Sequence, residues 1–244
     1  VTVRTFDGVD DVIHFEPGAL VALDGSLLTF AAVWKPVNLH KAGLLFVADA
    51  GLAQVFNVNP YNDGNVWYST ATGNFGCSDW DGTEGWMLHA IRNQPGVSGV
   101  RSHKYVFDTP GWTHANEAGG ISASVNPATE AWMGRFGGVG STECLHGSLA
   151  AMGVWDVALD DTQVETLSAG LSAWAALAPV ALWAFNQAST SDPVLDLTGN
   201  GADQDGLTGT TVTVGDDPAG FSFSLAGGAH RHILVPGLPW RAGA

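Results

Sequence analysis

The sequence predicts an all-β fold, a sandwich of two antiparallel sheets with one short helix, and three observations predict it. Short apolar runs, many alternating with period two, recur along the chain and are separated by turn residues. The 32 glycines and 11 prolines follow no fixed period, which suits short strands joined by turns rather than a fibre. Apolar residues make up 45% of the 244 residues, with 10 Trp and 11 Phe, enough to fill an extended sheet-on-sheet core.

The first element is 6–15, F-D-G-V-D-D-V-I-H-F. Asp7-Gly8 is a turn, and Val9, Val12, Ile13 and Phe15 with the acidic pair Asp10 and Asp11 fit a strand that starts beside a solvated loop. Strand-like runs then follow at 27–33, 44–48, 54–58, 65–69, 86–91, 103–107, 131–136, 149–154, 180–185, 210–214 and 221–225. Between the third and fourth of these runs, Pro60-Tyr61-Asn62-Asp63-Gly64 carries an Asp-Gly pair suited to a hairpin, so those two strands should be adjacent and antiparallel.

The helix begins near Asp160 or Asp161, with Gln163 at capping-box spacing and Val164, Leu167 and Leu171 along one face. Gly170 ends or interrupts it; otherwise Trp174 and Leu177 continue the stripe to Pro179. Phe6, Phe30, Val33, Phe46, Trp132, Met152, Val154, Trp183 and Phe185 are the expected buried residues. The expected layout is one domain over 1–229 and an extended C-terminal arm over 230–244.

Three segments carry a family resemblance. They are 6–15; 147–159, G-S-L-A-A-M-G-V-W-D-V-A-L, with D-D-T-Q-V-E-T-L after it; and 182–206, with A-F-N-Q and then D-L-T-G-N-G-A-D-Q-D-G. Together they resemble the laminin-G-like and concanavalin A-like lectin and glucanase jelly rolls. In that family the third segment normally precedes the first, whose strand lies at a sheet edge, so the resemblance implies a jelly roll of permuted order. A truncated second copy is the alternative, because 221–225 and 232–235 weakly echo 6–15.

Nine basic against 24 acidic residues give a net charge of −15, which disfavours nucleic acid and anionic lipid as partners. No stretch of 18 apolar residues suggests a membrane span, and no basic region followed by an apolar run opens the sequence. Cys77 and Cys144 allow one disulfide. Cys144 with His146 at i, i+2 reads better as a buried structural thiol than as a catalytic pair.

Residues 79–84, D-W-D-G-T-E, are similar to the E-x-D-x-x-E strand of the laminarinase-type glucanases. Asp79 stands where that pattern has the nucleophilic Glu, one methylene shorter, and Gly82-Thr83 read as a loop, so no catalysis is expected. Asp79, Asp81 and Glu84 are instead the candidate ligands of a calcium ion, the one cofactor considered. Among eight histidines only His230 and His232 sit at short spacing, and packing suits them better than a metal. Trp67, Tyr68, Trp80 and Trp112 are the candidates for stacking on sugar rings; Trp67 and Tyr68 point to opposite faces of one strand, so only one can be core.

The Gly-, Ala-, Val- and Trp-rich composition resembles sandwich proteins found among virion genes of tailed phages. That resemblance implies a non-catalytic virion structural protein, a minor tail or capsid decoration component assembled in the host cytoplasm, touching other virion proteins or copies of itself. The alternatives are a carbohydrate-binding module for host-surface glycans and, for location, a secreted protein. In the arm, Ile233, Leu234, Leu238, Trp240 and Arg241 are the expected partner contacts, since Pro236 and Pro239 make it a poor central strand.

Overall fold

The computed structural model describes residues 2–15, 17–37, 42–51, 53–61, 64–77, 85–97, 99–117, 121–122, 128–136, 143–187, 189, 192–202, 204–208, 211–214, 218–223 and 225. The strands are β1 (Thr2–Asp7), β2 (Val12–Phe15), β3 (Leu28–Pro36), β4 (Leu45–Ala48), β5 (Gln54–Pro60), β6 (Val66–Thr70), β7 (Gly73–Cys77), β8 (Met87–Gln94), β9 (Gly99–Val106), β10 (Trp112–Glu117), β11 (Glu130–Met133), β12 (His146–Trp155), β13 (Ala181–Ala184), β14 (Gln204–Thr208) and β15 (Thr211–Val214). Helices α1 (Asp161–Thr166) and α2 (Leu171–Ala176) lie between β12 and β13.

These strands form two sheets, antiparallel throughout. One has the order β10-β9-β8-β3-β12-β1-β15, with β13 paired to β12 beyond the end of β1; the other has the order β14-β2-β11-β4-β5-β6-β7. Alternation along the strands sets the layers. Phe30, Ala32 and Trp34 of β3 enter the core between the sheets, whereas Ala31 and Val33 face a second cluster made with Trp155, Val164, Leu167, Leu171 and Trp174. The eight-stranded sheet is therefore buried on both faces, which is why β3 and β12 read as continuous apolar runs. Its helix-covered face leaves the outer face of the other sheet as the broad surface on which a site can be built.

All nine residues expected to be buried are buried. Phe46 and Trp132 are not between the sheets, however; they form a small cluster with Ala48 on the outer face of the seven-stranded sheet.

The segment 6–15 differs from its expected single edge strand. Phe6 and Asp7 end β1, Gly8 turns the chain at φ 81°, and β2 begins in the opposite sheet, so the motif is a corner between layers. A Cβ on Gly8 would come within 2.8 Å of the His146 side chain, a second reason for glycine there. Neither strand is an edge, because β1 lies between β12 and β15 and β2 between β14 and β11.

The 160–179 reading is realised closely. Gln163 N donates to Asp160 Oδ1 at 2.8 Å and Asp160 N donates to Gln163 Oε1 at 2.9 Å, completing the capping box. Gly170 at φ 120° splits the stripe into α1, a 3-10 turn (Leu167–Ala169) and α2. Run 221–225 is not a strand: Ser222 makes a single parallel bridge to Gly170, and Phe221 packs on Trp174 with ring centroids 5.9 Å apart.

Asp196 explains the D-L-T-G-N-G motif. Fully buried, its carboxylate accepts from Leu182 N, Thr198 N, Thr198 Oγ1 and Asn200 N, closing the loop after β13 around one charge. Buried Arg4 ties β1 to the same loop by donating to the Ser189 and Asp192 carbonyls at 3.1 and 2.7 Å. Cys144 is a buried free thiol.

Candidate functional site

On the outer face of the seven-stranded sheet, directly opposed residues make one row across six strands: His14 of β2, Trp132 of β11, Phe46 of β4, Asn57 of β5, Ser69 of β6 and Asn74 of β7. The register follows from the inward set. Ile13, Met133, Leu45, Phe56, Val58, Tyr68 and Phe75 belong to the core, so their neighbours in sequence face outward.

The row has an aromatic end and an amide end. His14 stacks on Trp132 at 5.2 Å and 17°, and its Nε2 lies 2.6 Å from Glu130 Oε2. Phe46 meets Trp132 at 5.8 Å and Phe136 edge-on at 6.0 Å. At the amide end, Asn59 pairs across the ladder with Trp67, which pairs with Gly76 of β7. The Trp67 ring stands against Tyr61 with centroids 6.4 Å apart.

Asn59, Tyr61, Trp67, Ser69, Asn74 and Phe136 line a depression of ≈ 320 Å³. Its polar groups are unusual for a sheet surface. Asn59 in the lining is 3% exposed, and Asn57, outside the lining but opposite Ser69 in the ladder, is 0% exposed; Asn59 Oδ1 and Trp67 Nε1, and both amide atoms of Asn57, have no hydrogen-bond partner. Leaving a buried donor or acceptor unmet costs about 1–3 kcal/mol per group. Four such atoms lie on two adjacent strands, two of them in the lining, and they cost stability unless a ligand meets them.

The sequence-predicted residues distribute unevenly around this site. Trp67 is half-buried in it. Tyr68 is corrected: it is fully buried, its hydroxyl donates to the Gly25 carbonyl, and burial raises its pKa above the ordinary phenol value. Trp112 belongs to the other sheet, where it stacks parallel to His114 at 6.3 Å and lies 5.2 Å from Tyr105, so the aromatic candidates do not share one site. Trp80, the calcium candidates Asp79, Asp81 and Glu84, and Ile233, Leu234, Leu238, Trp240 and Arg241 of the arm all lie outside the described residues.

Asn57, Asn59, Tyr61, Asn74 and Phe136 were missed. The signal was present for three of them, because Q-V-F-N-V-N-P-Y places Asn57, Asn59 and Tyr61 on one face of a strand whose hairpin partner carries Trp67. Asn74 and Phe136 needed the sheet order.

One further group of carboxylates could hold a cation. Oxygens of Asp7, Asp10 and Asp11 lie within 4.8 Å of one another at the corner between β1 and β2. Asp11 is nearly buried and accepts from Asp7 N at 2.6 Å; burial, then the neighbouring Asp7 and Asp10 charges, raise its pKa against that hydrogen bond. The acidic pair that looked like a solvated loop is thus partly a buried corner.

The fold is shared with known sandwiches. No family model and no curated protein matches the chain. Among solved structures it is similar to a protein of Bacteroides ovatus described as a candidate carbohydrate binding protein, with 16% identity and a TM-score of 0.61 over 89% of this chain and 60% of that one. The chain thus spans less than two thirds of that protein's length. It is also similar to the CBM40 of the Ruminococcus gnavus IT-sialidase bound to α2,3 sialyllactose, at 12% identity and a TM-score of 0.49 over 68% and 97% of the two chains. A heptameric SAP-like pentraxin from Limulus polyphemus matches at 20% identity and 0.48, over 68% and 81%. The chain has a jelly-roll sandwich fold.

Proposed function

We propose that the chain is a non-catalytic carbohydrate-binding protein that takes its ligand on the outer face of the seven-stranded sheet. One observation carries the reading: unmet amide and indole groups gather around an aromatic wall in one shallow depression. Such a site suits a sugar, whose ring face packs on an aromatic while its hydroxyls meet fixed donors and acceptors. The description of the Bacteroides ovatus protein of the same fold supports it.

Chemistry on a glycosidic bond needs two carboxyl groups about 5–9 Å apart. Among the described outward side chains of this sheet, the row has Glu130 beside it, already engaged by His14. That favours binding over hydrolysis.

Titration calorimetry with a panel of oligosaccharides tests the reading in the wild type, Trp67→Ala and Asn59→Ala. Affinity that falls in both variants supports it. No affinity for any member, or affinity kept in both, defeats it.

The virion reading rests on composition and on the arm 230–244, which lies outside the described residues; no described feature favours it over adhesion. Its own test is deletion of Gly237 to Ala244: lost incorporation into a particle with an unchanged melting point supports partner docking through Trp240 and Arg241, and a destabilised monomer argues against it.

A further inference from the structure

Resting on the carbohydrate reading, we infer that the site selects uncharged sugars and turns away glycans carrying sialic or uronic acids. The argument is one of matched chemistry. The unmet atoms of the lining are one acceptor, Asn59 Oδ1, and one donor, Trp67 Nε1. A hydroxyl both donates and accepts, so it can satisfy either kind. An ionised carboxylate only accepts, and set against the amide oxygen it would place lone pairs against lone pairs.

Recognition of a carboxylate calls for charged donors, above all Arg. Among the described residues, no Arg, Lys or His lines the depression. Arg135, next to Phe136 in sequence, does not line the depression; it is hydrogen-bonded to the buried Cys144 thiol and keeps its Nε unpartnered, and His14 at the far end of the row is held by Glu130. The net charge of −15 adds a general repulsion of anions, but salt screens it, so the local lining decides. At ≈ 320 Å³ the depression is at the small end of ligand pockets, which favours a chain end or a short oligosaccharide over a wrapped polymer.

The test compares neutral oligosaccharides ending in glucose, galactose, mannose or N-acetylglucosamine with sialyllactose and galacturonate oligomers, at low and high salt, by titration calorimetry. The expected result is binding within the neutral set, insensitive to salt and lost in Trp67→Ala, with anionic ligands at least about tenfold weaker. Asn74→Arg, which sets a charged donor in the lining, should raise affinity for the anionic set by about tenfold. Anionic ligands preferred by the wild type, and lost in Trp67→Ala, would overturn the selectivity and leave the carbohydrate reading standing. If no member of either set binds, or if neutral binding is untouched by Trp67→Ala, both fall.

Discussion

Nδ1 of His103 lies 2.8 Å from Nδ1 of His114, so one imidazole must donate and the other accept. The pair joins β9 to β10 under α1. His103 Nε2 is 3.7 Å from Asp161 Oδ1, His114 Nε2 is 3.7 Å from Glu165 Oε1, and Arg92 and Arg101 also reach Asp161, at 3.2 and 2.5 Å. Burial first, then His114, Arg101 and Arg92, outweigh Asp161 and hold His103 down to about 4.

Acid should therefore weaken the fold in a defined window. His103 is neutral in the native state and binds a proton in the unfolded chain below about pH 6.5, so stability is complete above that value and falls until about pH 4. The loss from this group is at most about 3 kcal/mol. Urea midpoints at about pH 7 and about pH 4.5 should differ accordingly, and His103→Gln should flatten the difference while lowering stability at neutral pH. Equal pH slopes in the two proteins would show that His103 is not the titrating group.

Trp67 depends on Gly76. A Cβ on Gly76 would lie 2.8, 2.9 and 3.0 Å from three indole atoms, Cε2, Cζ2 and Cδ2, which places the ring's face over the glycine and turns the other face outward. Gly76→Ala should lift the ring, costing about 1 kcal/mol of stability and about tenfold in sugar affinity. A binding isotherm with a matching denaturation curve measures both; unaltered affinity would mean that the ring's position is not what the ligand reads.

Asp196→Ala should be among the most damaging single changes. It strands the buried N–H of Leu182 and removes the acceptor of the half-buried Thr198 N–H and one of two acceptors of the Asn200 N–H, and a loss of about 3 kcal/mol follows from the charged hydrogen bonds. Asp196→Asn keeps one acceptor oxygen and should fall between the two. Denaturant midpoints order the three proteins, and a tolerant Asp196→Ala would show that the loop closes by other means.

How much of this was legible in the sequence varied with the range of the signal. The β5–β6 hairpin and the capping box at Asp160 were legible because Gly64 and Gln163 act within a few residues of the elements that they shape. Phe46 and Trp132 were rightly read as buried, but their face could not be known, since period two gives two faces without saying which is the core. The 6–15 motif hid a change of sheet behind Gly8, and 221–225 alternates like a strand yet packs on α2 through Phe221. The site itself needed register: Asn57, Ser69 and Asn74 come from three strands, and only the ladder makes them neighbours.

Asn57 offers the sharpest separation of stability from function. Its amide is fully buried next to the lining residue Ser69, its ladder partner, with neither Oδ1 nor Nδ2 partnered, so in the unliganded protein it is a cost. Asn57→Leu replaces it with an apolar group of similar size beside Phe46, its cross-strand neighbour, and should raise stability by roughly 1–2 kcal/mol. The same change removes a donor and an acceptor beside the lining residues Asn59 and Ser69, and if a bound sugar draws on them its affinity should fall by about tenfold. The two measurements must move in opposite directions. Should Asn57→Leu unfold more easily than the wild type, the amide is satisfied in solution and serves the sheet, and the unmet groups cease to argue for a ligand.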